Sequence, residues 1–214
     1  MIVYPKLYLE KATDITEEML LENNIKGIIL DVDNTLIYYN KDLLANVDVW
    51  CKNLQQKGIK FCIVSNSNKK EKVKMVADKL DIPYISFGMK PLKRGLNKAK
   101  KILGLKNEEI AVVGDQIFTD VIGANRNKMF SILVKPLETK DILITRIKRP
   151  FEEAIIKKYI KQRGEKENVH KWCAHSVLHN IWTTRSNSRT IYRLGNKKII
   201  SREKGISKRG FKRI

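Results

Sequence analysis

Two carboxylates stand two residues apart in Asp31-Val32-Asp33-Asn34-Thr35-Leu36, directly after the apolar run Gly27-Ile28-Ile29-Leu30. Such a pair suits phosphoryl transfer, in which one carboxylate attacks phosphorus and the other gives a proton to the leaving oxygen and later takes one from water. Ligands of open α/β sheets collect at the carboxyl ends of buried strands, which is where Asp31 leaves its run. The backbone amides around Asn34 and Thr35 are then expected to cradle anionic oxygens. Alone the pair decides little, because an Asp-rich turn after a strand also serves as a cap or an Asx turn.

Three further signals follow in chain order. Phe61-Cys62-Ile63-Val64 reads as a second strand and ends in Ser65-Asn66-Ser67-Asn68, whose hydroxyls and amides suit either a phosphate oxygen or a helix cap. Lys90 precedes Pro91, which biases it towards extended backbone. A fixed cation there would neutralise charge on a phosphate and on an attacking carboxylate. Ile110-Ala111-Val112-Val113 is a third buried strand that runs into Gly114-Asp115, with Asp120 five residues on. Hard carboxylate oxygens suit Mg²⁺, which takes one or two protein carboxylates, substrate phosphate and water.

The order of these elements resembles the haloacid dehalogenase (HAD) superfamily of phosphohydrolases, whose four motifs are DxDx[TV], Ser/Thr, Lys and an acidic GDxxxxD-type pattern. The wider strings GIILDVDNTL, KP and GDQIFTD are similar to the YqeG branch of subclass IIIA, which is related to the mitochondrial phosphatidylglycerophosphate phosphatase. The resemblance spans residues 1–164 and implies a three-layer Rossmann-like α/β fold with a parallel sheet. It implies Asp31 as nucleophile and Mg²⁺ ligand, and Asp33 as general acid and base with its backbone carbonyl on the metal. Thr35 and Ser65 would hold the phosphoryl group, with Asn34 and Asn66 beside it, and Lys90 would balance its charge. Asp115 would ligate Mg²⁺ and Asp120 would support that shell. A response-regulator receiver also combines acids, Ser/Thr and Lys, but there the lysine comes last; here Ser65 precedes Lys90 and Gly114-Asp115 closes the series.

The intervening segments bear on substrate size. Leu43, Leu44, Val47, Trp50, Cys51 and Leu54 recur at helical spacing before Lys57-Gly58, and residues 69–80 read as another helix followed by a strand over 82–87. Neither interval has room for a cap domain, so the site is expected to lie open to a large or surface-borne phosphoester. Residues 1–26 read as a lead-in with a helix near 16–22. Further helices are expected over 93–103, around 121–128 and over 151–162, with a strand over 132–134.

The chain carries 43 Lys and Arg against 23 Asp and Glu, a formal net charge of +20. Such a surplus draws a protein to anionic membranes or nucleic acid. Thirteen basic residues and only three acids lie in residues 165–214, so half of the surplus sits in a tail outside the motif-bearing segment. That tail contains all three histidines and is expected to be disordered or atypical. His170, His175 and His179 with Cys173 match no compact zinc module. Arg185, Arg189, Arg193, Lys197 and Lys198 with Trp182 and Tyr192 leave nucleic-acid binding open without favouring it. Apolar runs are strand-length, below the ~18 residues of a membrane span. Cys51 and Cys62 fall on apolar faces as core residues of a reducing compartment. The expectation is a cytoplasmic, Mg²⁺-dependent phosphomonoesterase that works at a peripheral membrane surface on an anionic lipid headgroup, phosphatidylglycerophosphate. The alternatives are a nucleic-acid or protein phosphate as substrate, or a non-catalytic basic binding module.

Overall fold

The β-branched and leucine runs assemble into one six-stranded parallel sheet. The computed structural model describes residues 1–40, 42–138, 143–166, 191–194 and 197–200, with the backbone alone for 143–149, 163–166 and the last two segments. In chain order the strands are β1 (Leu7–Leu9), β2 (Gly27–Leu30), β3 (Lys60–Val64), β4 (Tyr84–Ile85), β5 (Ile110–Gly114) and β6 (Phe130–Val134). They lie in the order β1-β6-β5-β2-β3-β4. β2 is therefore central, between β5 and β3, with Leu30 level with Val113 and Ile63. Because every neighbour runs parallel, the chain leaves β2, β3, β4 and β5 at one edge of the sheet.

The period-two alternation of side chains builds the two faces. On one, Ile28, Leu30, Phe61, Ile63, Ala111 and Val113 pack against α1 (Glu17–Glu22), α2 (Val47–Gln56) and α3 (Lys70–Leu80) through Leu20, Val47, Cys51, Leu54, Val73, Val76 and Leu80. On the other, Ile29, Cys62, Val64, Ile110 and Val112 meet Leu96, Ala99 and Leu103 of α4 (Lys93–Leu103) and Ala124 of α5 (Ile122–Arg126). Ile155 and Ile156 of α6 (Leu143–Lys166) pack on Leu133, Ile117 and Val121. Three layers result, as the alternation and the motif order imply. Cys51 and Cys62 are buried free thiols, pushed up to about 12 by burial.

The structure departs from the sequence reading at several boundaries. The lead-in contains β1, a short strand that pairs in parallel with β6. Three residues are too few to announce themselves by alternation, and their partner lies 125 positions away (Leu7 with Ile132). The strand expected over 82–87 contracts to Tyr84–Ile85, because Phe87 and Met89 take positive φ and turn the chain out of the sheet. Leu43 and Leu44 precede α2; Leu43 instead bridges Ile37 in a small excursion after the acid pair. The last helix begins at Leu143 and runs through Pro150, earlier than the expected start at 151. No cap domain interrupts either interval among the described residues.

The chain divides into two compact units, Met1–Arg163 and Gly164–Ile214. Described residues of the second form an antiparallel pair, β7 (Ile191–Leu194) and β8 (Lys197–Ile200), with Arg193 opposite Lys198. The histidines, Cys173, Trp182, Arg185 and Arg189 of the tail lie outside the described residues. No described helix is long and apolar enough to cross a membrane.

Gly95 offers a test of how α4 is seated. A Cβ at this position would lie 2.3 Å from the Gly88 carbonyl oxygen, a backbone atom that cannot swing aside. Helix propensity alone would favour Gly95→Ala by about 1 kcal/mol. Overpacking should dominate, so urea unfolding should show a net loss of about 1–3 kcal/mol, whereas Ala at the exposed Asn97 should be neutral or mildly stabilising.

Candidate active site

The carboxyl edge of the sheet gathers Asp31, Lys90, Asp115 and Asp120 from three chain segments into one buried polar cluster. Asp31 leaves β2 and is held in register by its amide, which donates to Val113 O of β5 at 2.9 Å. Asp31, Thr35, Ser65, Lys90, Asp115 and Asp120 are all buried. Lys90 Nζ lies 2.6 Å from Asp31 Oδ1 and 2.6 Å from Asp120 Oδ1. Carboxylate oxygens of Asp31, Asp115 and Asp120 fall within 4.8 Å of one another.

Each side chain has a local reason for its position. Lys90 sits in the connection between β4 and α4, and Asn66 grips its backbone from both sides: Lys90 N donates to Asn66 Oδ1 at 2.7 Å and Asn66 Nδ2 donates to Lys90 O at 2.8 Å. The side chain expected at the phosphate thus anchors the lysine that faces it. Ser65 directly follows β3, and its Oγ accepts from Ser67 N at 3.1 Å, which leaves the hydroxyl proton to donate elsewhere.

Asp120 folds back over Gly114, where a Cβ would lie 2.2 Å from Asp120 Cγ, so only glycine admits that carboxylate. A single wide π-type turn, Ile117–Val121, sets the approach. Gln116 N and Thr119 Oγ1 donate to Asp120 Oδ2 at 3.2 and 3.1 Å.

Two of the expected anion donors are otherwise engaged. Asn34 takes positive φ, and its amide donates to Ile37 O at 3.1 Å while that of Thr35 donates to Val32 O at 3.3 Å. The turn after the acid pair closes on itself, so these two amides serve the fold rather than a ligand. The Thr35 hydroxyl is different: Oγ1 is fully buried and has no hydrogen-bond partner among the described residues. A buried hydroxyl left unmatched is costly, and an incoming acceptor would satisfy it.

Asp33 does not join the carboxylate triad. Its side chain is about two-fifths exposed and pairs with Lys72 of α3. Sequence reading missed Lys72, one lysine in a run of them, although an Asp-Lys pair across two helix-bearing segments leaves no local signal. It also missed Glu152, which is buried on α6 and accepts from Phe118 N at 3.1 Å, tying that helix to the turn that carries Asp120. Here a signal exists, because Glu152, Ile155, Ile156 and Tyr159 share one helical face and the acid stands among core residues.

Burial governs the electrostatics. The Asp31 carboxyl is pushed up from an ordinary 3.8 to about 7 by desolvation; Lys90 opposes the shift while Asp120 and Asp33 add to it. For Lys90, desolvation works against the charged form, but Asp120 and Asp31 outweigh it and hold the ammonium above its ordinary range. Three buried carboxylates thus converge where Lys90 pairs with Asp31 and Asp120. Hard oxygen donors grouped in this way fit a divalent cation such as Mg²⁺.

Comparison with known proteins bears on the family. Residues 41–127 match the family described as haloacid dehalogenase-like hydrolase. The chain is 25% identical over 177 residues to phosphatidylglycerophosphate phosphatase 1, chloroplastic/mitochondrial, of Arabidopsis thaliana, covering 75% of this chain and 49% of that protein. A solved structure of an uncharacterized protein from Listeria monocytogenes serotype 4b overlaps 55% of this chain and 85% of its own, at 20% identity and a TM-score of 0.46. The chain is 38% identical over 161 residues to "Probable phosphatase YqeG" of Bacillus subtilis (strain 168), covering 75% of this chain and 92% of the relative. Likeness of that degree over nearly the whole relative establishes that this chain belongs to the YqeG family of haloacid dehalogenase-like hydrolases.

Proposed function

We propose that this hydrolase is a Mg²⁺-dependent phosphomonoesterase that works through an aspartyl-phosphate on Asp31, with phosphatidylglycerophosphate as substrate. The observation that carries the chemistry is the buried ammonium of Lys90 shared by Asp31 and Asp120, with Asp115 in the same cluster. The lipid assignment is supported by the resemblance to the Arabidopsis enzyme, and the +20 charge suits an anionic surface. Residues 1–164 are proposed as the catalytic unit and the basic tail as dispensable for chemistry.

In this mechanism one Asp31 oxygen bonds to phosphorus as the bond to the leaving oxygen breaks, and Asp33 delivers a proton to that oxygen. Water then attacks phosphorus of the aspartyl-phosphate, giving its proton to Asp33, and the Asp31–phosphorus bond breaks to release phosphate. Thr35 Oγ1 and the Ser65 hydroxyl donate to the phosphoryl oxygens, and Lys90 keeps charge balanced as it passes between nucleophile and phosphate. Asp31, Asp115 and the backbone carbonyl of Asp33 would hold Mg²⁺, with Asp120 supporting them; the ion supplies positive charge against the developing phosphoryl oxyanions.

Phosphate release from phosphatidylglycerophosphate in mixed micelles tests the proposal. Release should require Mg²⁺, persist in residues 1–164, and fall by at least about a thousandfold in Asp31→Asn. An untouched lipid beside a cleaved aryl phosphate would refute the substrate and keep the chemistry.

The raised carboxyl of Asp31 makes a second prediction. A carboxyl whose folded pKa lies above its unfolded value favours folding at acid pH, and that contribution is lost as pH rises through about 7. In EDTA, wild type should therefore lose more thermal stability between about pH 5 and pH 8 than Asp31→Asn does. Added Mg²⁺ should restore wild type at the upper pH and raise the Tm of Asp31→Asn less. Gly114→Ala, which displaces Asp120, should weaken both the Mg²⁺-dependent Tm rise and turnover.

A further inference from the structure

Lys72 pairs with Asp33, the residue proposed above to protonate the leaving oxygen. It belongs to the first turn of α3, where the helix dipole favours acids and disfavours lysine, and no side chain caps that end. Its neighbours Lys69, Lys70 and Lys74 face solvent, yet the Lys72 side chain is only 17% exposed and turns in to pair with Asp33. The two inward cations thus differ in place and partner. Lys90 is sunk in the cluster between Asp31 and Asp120, while Lys72 reaches the partly open carboxylate of Asp33. A group in contact with the acid that protonates the leaving oxygen is necessarily close to the leaving group itself.

We propose that Lys72 is a specificity-determining residue that binds a second anionic group, of the phosphodiester type, carried on the leaving alcohol near the phosphomonoester. The inference rests on the phosphomonoesterase reading above and narrows its substrate class. With no such substituent present, the ammonium stays on Asp33 Oδ1 and keeps that oxygen from taking up a proton. An anionic substituent draws the ammonium away, forms a charge-assisted hydrogen bond with it, and leaves Asp33 to take from solvent the proton that it delivers to the leaving oxygen. The same contact therefore favours substrates with the second charge and disfavours those without it. A helix cap or a simple structural latch would show no such discrimination.

The test compares kcat/KM of the full chain with Mg²⁺ on three soluble probes: phenyl phosphate, a short-chain glycerol phosphodiester bearing a terminal phosphomonoester, and a 5′-phosphorylated dinucleotide. Wild type should prefer a phosphodiester-bearing probe over phenyl phosphate. In Lys72→Met that preference should shrink by roughly tenfold or more, mainly through KM, and Lys72→Arg should retain most of it. Preference for the glycerol probe alone points to a lipid-type source and preference for the dinucleotide alone to a nucleotide source; either supports the role of Lys72. Equal losses on all three probes in Lys72→Met, or no wild-type preference, would overturn the inference while Asp31-dependent cleavage of phenyl phosphate left the phosphatase reading standing. No release from any probe by wild type would overturn both.

Discussion

A single ammonium held 2.6 Å from two buried carboxylates is the interaction on which the site depends. Buried ion pairs add little net stability, because desolvation offsets much of their attraction, but breaking one side leaves an uncompensated charge and is severe. The surrounding structure is arranged so that neither partner can drift. Asn66 clamps the backbone of Lys90, the absence of a side chain at Gly95 lets α4 close on Gly88, and the bare backbone of Gly114 receives Asp120. Lys90 and Asp120 come from connections after β4 and β5, which flank the inner part of the sheet on either side of β2. Their meeting is a consequence of strand order.

Charge is distributed in the opposite sense inside and outside. The chain as a whole is strongly basic, yet its most buried polar cluster has more carboxylates than ammonium groups. The basic surplus lies outside this cluster, and the hard oxygen donors inside it suit a divalent cation. Thr35, in the turn that follows Asp31, is fully buried and its hydroxyl has no hydrogen-bond partner among the described residues. In the proposed reaction, anion binding would be shared among metal, lysine and hydroxyls, because no one of them neutralises a phosphate dianion in a water-poor site. Glu152 extends the constraint outward, since its carboxylate fixes the turn bearing Asp120 to the last helix.

Much of this was legible before any coordinates. Asp31, Ser65 and Asp115 were identifiable because each follows an apolar run whose length and branching mark a buried strand, Lys90 because it precedes Pro91, and Asp120 by its spacing from Asp115; the central strands were placed within a residue or two by the same apolar runs. What escaped was non-local. β1 is three residues long and exists because β6 offers it a partner; Phe87 and Met89 end β4 through backbone conformation that their types do not advertise. Asn34 and Thr35 were read as anion donors because their amides follow the acid pair, but the turn there closes on Val32 and Ile37 and takes those amides.

The sequence by itself determined the candidate polar groups, through motif order, and the edge of the sheet at which several of them gather, because strand ends are local properties of the chain. Only the tertiary structure decided how the groups are paired: Lys90 with Asp31 and Asp120, Asn66 with the Lys90 backbone, Lys72 with Asp33, and Glu152 with the amide of Phe118. Such pairings depend on directions in which side chains leave elements distant in sequence, and those directions exist only once the sheet has twisted and its helices have packed.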